Sequence, residues 1–280
     1  MIKIDQIIPL QEQLSQWRST NQNIALVPTM GNLHAGHLSL VEKAKQFADK
    51  TVVSVFVNPT QFVQGEDYST YPRTLEQDMD KLAEIGIDIL FFPDVEKIYS
   101  GSMQQQTQVT VTGLDSILCG KSRPGHFKGV TTVVTKLFNI VKPDIAVFGE
   151  KDYQQLLVIK KLVRDLFYRI EIISMPTVRE ADGLAISSRN NYLTSEERKI
   201  APILFRTLKQ ISDDIMAGDL AFPQLQKKAI SGLNKAGFKT EYVSIRDAGT
   251  LQKPSTRELV VLAAAQLGKA RLIDNLLIKR

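Results

Sequence analysis

The sequence predicts an α/β protein in which a doubly wound parallel sheet is followed by a smaller α+β domain. The 280 residues are 43% hydrophobic and 23% charged, which is typical of a folded globular chain. Up to residue 177, short apolar runs alternate with stretches of helical period, and this order favours βαβ units. Beyond that point the chain changes to helices followed by three strand-like runs. We therefore predict two domains, residues 1–177 and 178–280.

Five apolar runs predict the strands of the first domain. The run 51–57 is rich in β-branched residues and almost wholly apolar, as expected for a strand covered on both faces of a parallel sheet. The five runs span residues 24–28, 51–57, 87–92, 145–148 and 170–175. Between them, apolar residues at helical spacing predict helices around residues 40–48, 75–85, 130–141 and 156–163. Right-handed crossovers close such units into a Rossmann-like sheet.

The second domain begins with a capping signal. Thr194 and Glu197 have the spacing of a capping box, which predicts the start of a long helix. A second helix is predicted over residues 223–236, followed by strands over 241–246, 258–265 and 271–278. This order predicts a small α+β domain.

Composition excludes several classes of protein. The formal net charge is +5 and the pI is about 9.1, but Lys and Arg are scattered, so a nucleic-acid-binding module is the less favoured alternative. The single cysteine, Cys119, predicts no disulfide framework and fits a reducing compartment. The longest apolar run, residues 259–265, is too short to span a bilayer, and the first residues have no long apolar stretch. We expect a cytoplasmic protein without a signal peptide or membrane partner.

The most informative segment runs from Met30 to His37, between the first strong strand and the next helix. Ligands of doubly wound sheets bind at this edge. His34 and His37 are three residues apart, so at a helix start they share a face. Helix N-termini and imidazole N–H groups both bind phosphate. Two incidental surface histidines are the alternative, but the position after a strand favours a phosphate site.

Four other segments carry polar groups at predicted edges of elements. Taken singly, each also fits an ordinary turn, cap or solvated face. They are Asn58 to Gln61 after a strand, a basic turn at Arg123 before a helix, Gly149 to Asp152 with Gln155 before and within a helix, and Ile186 to Arg189 just past the domain boundary. Asp152 can cap its helix or bind a ribose hydroxyl, and Asp78 on a helix can face solvent or reach a metal.

Together, these segments resemble the motifs of the pantothenate synthetase (pantoate–β-alanine ligase) family. That family belongs to the nucleotidyl-transferase superfamily with the His-x-Gly-His signature. The matching stretches are Pro-Thr-Met-Gly-Asn-Leu-His-Ala-Gly-His, Phe-Val-Asn-Pro-Thr-Gln-Phe, Arg-Pro-Gly-His-Phe, Gly-Glu-Lys-Asp and Ser-Ser-Arg-Asn, in the family's order. The resemblance covers about residues 24–278.

The resemblance implies an ATP-dependent reaction. Pantoate and ATP would give pantoyl adenylate and pyrophosphate, and β-alanine would then displace AMP to give pantothenate. It further implies Mg²⁺, small-molecule rather than nucleic-acid partners, and a homodimer formed through the first domain. Another adenylyl-transferring enzyme of the superfamily is the rival, but it would lack the Asn-Pro-x-Gln-Phe and Ser-Ser-Arg-Asn stretches.

The resemblance also implies roles for individual residues. The catalytic set is His34, His37, Lys151, Ser187, Ser188 and Arg189. The residues implied to bind ATP are Met30, Gly31, Asn32, Leu33, His34, Ala35, Gly36, His37, Gly149, Glu150, Lys151, Asp152, Val178, Ile186, Ser187, Ser188 and Arg189. Those implied to bind substrate are Asn58, Gln61, Arg123 and Gln155. For Arg123 two contacts stay open, one with phosphate and one with the partner subunit. Asp78 is the metal candidate, with Mg²⁺ held mainly by ATP phosphates.

Overall fold

The computed structural model describes residues 1–280, with every side chain except that of Gln104. The chain divides into two compact units. The first contains residues 1–150 and 158–176, and the second contains residues 151–157 and 177–280. The short segment 151–157 therefore belongs to the second unit. The predicted boundary between two domains after residue 177 remains a prediction.

A parallel sheet forms the centre of the first unit. Within the described part of the chain it has six strands: β1 (Ile2–Ile4), β2 (Ile24–Thr29), β3 (Lys50–Val55), β4 (Ile89–Phe91), β5 (Ile145–Gly149) and β6 (Glu171–Met175). Their order is β1-β4-β3-β2-β5-β6, and every pairing is parallel. The order reverses between β2 and β5, which is where doubly wound sheets bind ligands. The predicted α/β fold class is therefore confirmed.

Four of the seven helices that the structure describes in this unit correspond to predicted helices, and the other three were not predicted. The bounds of the seven are α1 (Ile7–Ser19), α2 (Ala35–Phe47), α3 (Leu75–Ile85), α4 (Val95–Ile98), α5 (Cys119–Ser122), α6 (His126–Val141) and α7 (Tyr153–Asp165), the last of which continues from the second unit into the first. Gly86 ends α3 in a left-handed conformation with φ 76°, as a glycine C-cap does. The apolar face of α2, with Leu40, Val41 and Ala44, packs with β2 in one buried cluster.

Two elements at the start of the chain carry little sequence signal. The strand β1 has only three residues, two of them exposed. The helix α1 buries only Leu10 and Leu14, so its apolar period is weak. Tertiary contact with β4, rather than local pattern, places this segment at the edge of the sheet.

The second unit pairs helices with an antiparallel sheet. Its helices are α8 (Ser195–Ile200), α9 (Ile203–Met216) and α10 (Phe222–Lys235), and its strands are β7 (Lys239–Asp247), β8 (Glu258–Leu267) and β9 (Ala270–Lys279), in that order across the sheet. The capping box of Thr194 and Glu197 is confirmed. The long helix after it is two helices, because Pro202 has no N–H to donate to the preceding turn of helix.

Among the described residues, no helix combines the length and apolar character that crossing a bilayer requires.

Candidate active site

The loop after β2 places two imidazoles at the start of α2. His34 is the extended N-cap of that helix, and the backbone N–H of His37 donates to the His34 carbonyl at 2.8 Å. The two rings stack, with 4.0 Å between their centroids and 26° between their planes. Both side chains are half-buried. The predicted shared face is therefore confirmed, and it lies at the positive end of the helix dipole.

The backbone before His34 takes an unusual path. Gly31 and Asn32 are both left-handed, with φ of 80° and 51°. A Cβ on Gly31 would lie 3.0 Å from Val55 Cγ1 and 3.1 Å from Asp78 Oδ2, so a larger residue would be both strained and crowded here. The sequence positions Met30 to Leu33 thus form a tight corner between β2 and α2.

Asp78, on the first turn of α3, holds this corner. Its Oδ2 accepts hydrogen bonds from the Asn32 N–H at 2.8 Å and from Thr74 Oγ1 at 3.2 Å, and its Oδ1 accepts from the Leu33 N–H at 2.7 Å. The residue has 0% exposure. These three donors satisfy the buried carboxyl oxygens without a metal. The contacts of Asp78 are those of a loop anchor, and its metal role stays a prediction.

The turn after β3 presents Gln61. Residues Pro59–Gln61 form one 3₁₀ turn, capped by Asn58, whose side-chain oxygen accepts from the Thr60 N–H. Asn58 is 1% exposed, and its Nδ2 donates to Gln61 Oε1 at 3.0 Å. Gln61 Nε2 in turn donates to Met30 Sδ at 3.0 Å. Two segments that the sequence predicted separately, around residues 30 and 61, are therefore in contact.

The Gln61 carbonyl oxygen is contacted by the basic turn before α6 and by the first residue of that helix. His126 Nδ1 lies 2.7 Å from the Gln61 carbonyl oxygen, and Arg123 Nη2 donates to the same oxygen at 3.5 Å. Arg123 also forms a two-point ion pair with Glu66, with 2.7 Å between Nη2 and Oε2. In this structure Arg123 therefore supports the turn that carries Gln61. Its substrate contact stays a prediction.

The ion pair between Glu66 and Arg123 makes stability depend on pH. Burial raises the pKa of Glu66, but the hydrogen bond and charge of Arg123 outweigh this and hold that pKa below its usual 4.5. Because the folded pKa is depressed, the stabilisation is present above pH 4.5 and is lost as pH falls through the folded value. We expect Glu66→Gln to lower the free energy of unfolding by about 2 kcal/mol at pH 7, and by progressively less below pH 4.5.

Urea unfolding at several pH values between 7 and 3 measures this difference. Glu196→Gln is the matched control, because the ion pair of Glu196 with Lys199 is exposed and should contribute no more than about 0.5 kcal/mol. A constant difference between wild type and Glu66→Gln over the whole range would contradict the assignment.

In the second unit, Lys151 lies beside a buried polar cluster. Its carbonyl accepts from Asn275 Nδ2 at 3.0 Å, and its ammonium is 3.9 Å from the Asp152 carboxylate. Next to Asn275, Asp274 receives two hydrogen bonds from Arg179, at 2.7 and 2.9 Å. Burial raises the pKa of Asp274, and the charge of Arg179 opposes that shift. The main chain at Lys151 is thus fixed, while its side chain is half-buried.

The segment after Pro176 forms a short hairpin. The Ile186 N–H donates to the Val178 carbonyl at 3.0 Å, and Arg179 and Ala185 form an antiparallel bridge. Ser187 caps the 3₁₀ turn Ser188–Tyr192, since its hydroxyl accepts from the Arg189 N–H. The structure therefore brings Val178 together with Ile186, and Ser187 with Arg189. Ser187, Ser188 and Arg189 are all half-buried.

The remaining predicted positions lie around the end of β5 and the start of α7. Gly149 is the last residue of β5, and residues Glu150–Asp152 form a 3₁₀ turn before α7. Glu150 Oε1 accepts from Ser174 Oγ at 2.8 Å. Gln155 is half-buried in the first turn of α7. Gly149 has ordinary φ, and a Cβ there would make only an ordinary contact with Leu40 at 4.0 Å, so its turn does not depend on glycine.

The sequence alone did not indicate the residues that support the candidate site through contacts with Arg123 and Asn58. Glu66 contacts Arg123 and Tyr99 contacts Asn58, yet neither was a candidate. The only signal was indirect, since a buried Arg123 requires an acidic partner. Nothing in the local sequence indicates which acid, 57 residues away, supplies it.

Comparison with known proteins identifies the family. The family model for pantoate–beta-alanine ligase matches residues 3–277, which is nearly the whole chain. The chain belongs to the pantoate–beta-alanine ligase family. It is therefore an enzyme, a ligase, as the sequence motifs imply.

Individual members of this family are similar to this chain in sequence and in structure. The pantothenate synthetase of Azotobacter vinelandii is 54% identical over 99% of this chain and 98% of the relative, and that of Aeromonas hydrophila is 53% identical over 98% and 97%. The crystal structure of pantothenate synthetase from Thermus thermophilus superposes with a TM-score of 0.93 at 43% identity, covering 100% of both chains. The ligase from Francisella tularensis, complexed with beta-gamma ATP and β-alanine, has a TM-score of 0.84 at 41% identity, covering 99% of this chain and 97% of that one.

Proposed function

We propose that this chain condenses (R)-pantoate with β-alanine at the expense of ATP, giving pantothenate, AMP and pyrophosphate through a pantoyl-adenylate intermediate. The observation that carries the proposal is the stacked pair His34 and His37 at the start of α2, within a chain of the pantoate–beta-alanine ligase family. The ATP and β-alanine named for the Francisella tularensis ligase support the same substrates here.

The chemistry needs no protein nucleophile. A pantoate carboxylate oxygen attacks the α-phosphorus of ATP, and pyrophosphate leaves with the electrons of the broken P–O bond. The carboxyl carbon becomes electrophilic because AMP is now its leaving group. The uncharged amine of β-alanine then attacks this carbon, loses a proton and displaces AMP. The protein must therefore supply positioning and charge stabilisation rather than a covalent partner.

The proposed roles follow this division. His34 and His37 bind the triphosphate and strengthen their hydrogen bonds as charge develops. Lys151, Ser187, Ser188 and Arg189 neutralise the departing pyrophosphate. The nucleotide is held by the segment Met30 to Gly36 and by Gly149, Glu150, Asp152, Val178 and Ile186. Gln61 and Gln155 orient pantoate, supported by Asn58 and Arg123.

Mg²⁺ is implied by the family resemblance, but the residues present do not build a site for it. Among the described residues, no three His, Cys, Asp or Glu side chains group together as metal ligands. The oxygens of Asp78, the one candidate, already accept three hydrogen bonds. We therefore propose that Mg²⁺ enters as its complex with ATP, whose phosphate oxygens are ligands it prefers.

A pyrophosphate-release assay tests the function. With ATP and Mg²⁺ present, pantoate should trigger release, and β-alanine should then convert the bound adenylate to pantothenate. Other carboxylates of similar size are the controls and should give no release. Release with a mononucleotide instead of pantoate would identify another adenylyl-transferring enzyme. Strong, salt-dependent binding of DNA or RNA would favour the nucleic-acid-binding alternative.

The homodimer and the cytoplasmic location remain predictions. Sedimentation equilibrium tests the homodimer.

A further inference from the structure

We propose that Tyr99 is a positioning residue that acts through Asn58 to fix the direction in which the Gln61 amide points. Tyr99 is the C-cap of α4 and is 2% exposed, and its hydroxyl contacts Asn58 rather than Gln61 itself. The inference rests on the proposed role of Gln61 in binding pantoate. It adds a residue that neither motif nor spacing indicated.

Two main-chain groups identify which end of the Asn58 amide is the oxygen. The Thr60 N–H, which can only donate, lies 3.3 Å from Asn58 Oδ1. The Gly129 carbonyl, which can only accept, lies 3.2 Å from Asn58 Nδ2. A rotated amide would face a donor with a donor and an acceptor with an acceptor. Asn58 Oδ1 must therefore point toward Tyr99, and Nδ2 toward Gln61.

Tyr99 completes this arrangement from the buried side. Its hydroxyl donates to Asn58 Oδ1 at 2.8 Å and lies 3.1 Å from the Thr60 hydroxyl, which is itself 3.0 Å from Asn58 Oδ1. Lys136 Nζ lies 4.9 Å from the centroid of the Tyr99 ring and donates to the Ile98 carbonyl at 2.9 Å. The phenol is thus held in place at its ring and at its oxygen. Burial raises the pKa of Tyr99, which keeps the hydroxyl a donor at neutral pH.

The arrangement determines what Gln61 can offer a ligand. Asn58 Nδ2 donates to Gln61 Oε1, so the acceptor end of the Gln61 amide is already engaged. The donor end, Nε2, contacts Met30 Sδ, and a thioether is a weak acceptor. An oxygen of a carboxylate or hydroxyl group would replace that sulfur favourably. Gln61 is therefore fixed as a donor toward an oxygen-rich ligand such as a hydroxy acid.

Kinetics of Tyr99→Phe test the proposal, because this change removes the hydroxyl and keeps the ring. We expect the KM for pantoate to rise about tenfold, with the KM for ATP within twofold of wild type, since the loss of one hydrogen bond is worth up to a factor of ten. Tyr168→Phe is the matched control. Its hydroxyl makes a long 3.4 Å bond to Asn139 at the surface, and its kinetics should equal those of wild type.

A double-mutant cycle separates positioning from a general structural role. In a Gln61→Ala background, adding Tyr99→Phe should change the KM for pantoate by less than twofold, because the residue through which Tyr99 acts is absent. Independent, multiplicative effects would overturn the proposal. So would a wild-type KM for Tyr99→Phe, or an equal rise in both KM values together with a lower Tm.

Two further measurements keep the test decisive. If Tyr99→Phe does not fold, Thr60→Val removes the neighbouring hydroxyl from the same network and should give the same selective rise in the KM for pantoate, and its absence would overturn the proposal. Wild-type protein that released no pyrophosphate with pantoate would refute the proposed function, and the role of Tyr99 with it. An active wild type with an unaffected Tyr99→Phe variant would refute only the role of Tyr99.

Discussion

Replacing His37 with alanine is expected to slow formation of the adenylate by roughly 10²–10³, the usual effect of removing one donor that stabilises transition-state charge. His37 lies on the first turn of α2, stacked on His34, so both imidazoles lie at a helix N-terminus, which is favourable for binding phosphate. Single-turnover release of pyrophosphate from ATP and pantoate measures this step directly.

The second half-reaction provides the internal control for His37→Ala. When preformed pantoyl adenylate is supplied, attack by β-alanine should proceed at close to the wild-type rate, because no triphosphate is involved. Near-normal pyrophosphate release by the variant would remove His37 from its proposed role. Loss of both half-reactions together, with a lower Tm, would point to a folding defect instead.

Replacing Gly129 with alanine is expected to damage both stability and pantoate binding. A Cβ at this position in α6 would lie 2.2 Å from the Thr60 carbonyl oxygen and 2.6 Å from the Gln61 nitrogen, which is far inside van der Waals contact. The turn Pro59–Gln61 must therefore move away from the helix. We expect a loss of about 2–3 kcal/mol in the free energy of unfolding and a fall of about 10² in kcat/KM for pantoate, since small misplacements of positioning groups cost that much.

Gly232→Ala is the matched control for Gly129→Ala. Gly232 also lies within a helix, α10, but nothing lies within 4 Å of its Cβ position. Alanine there should stabilise the protein by about 0.5–1 kcal/mol, because glycine is the poorer helix former, and should leave activity unchanged. Urea unfolding and steady-state kinetics on both variants check the pair. Equal behaviour of the two would show that the close approach at Gly129 is unimportant.

The sequence predicts the architecture well because its signals are local. The apolar run at residues 145–148 corresponds to β5, Ile145–Gly149, and the run at 258–265 to β8, Glu258–Leu267. Gly86 marks the end of α3 by its left-handed conformation. Such signals fail where the chain itself is ambiguous. The capping box of Thr194 correctly predicts the start of a helix, but a break at Pro202 divides the predicted helix into two.

Only the candidate residues in the segments that follow strands can be predicted from the sequence, and the residues that support them cannot. His34 and His37 lie at the start of the helix that follows β2, and Gln61 lies in the turn that follows β3, at the edge where doubly wound sheets bind ligands. The groups that hold them come from distant parts of the chain. Asp78 is 45 residues from Leu33, and Tyr99 is 41 residues from Asn58. Their partners depend on how helices pack against the sheet, which no local pattern of residues records.

The anchoring of the corner at Gly31 and Asn32 by Asp78 bears on the thermodynamics of ligand association. A free loop with two successive left-handed residues would sample many conformations, and a ligand would have to select one of them. Here the main-chain N–H groups of Asn32 and Leu33 are already engaged by a buried carboxylate. The entropy of ordering this corner is therefore lost during folding and not during the encounter with a ligand. A ligand that binds this conformation therefore does not lose apparent affinity to a population of other loop conformers.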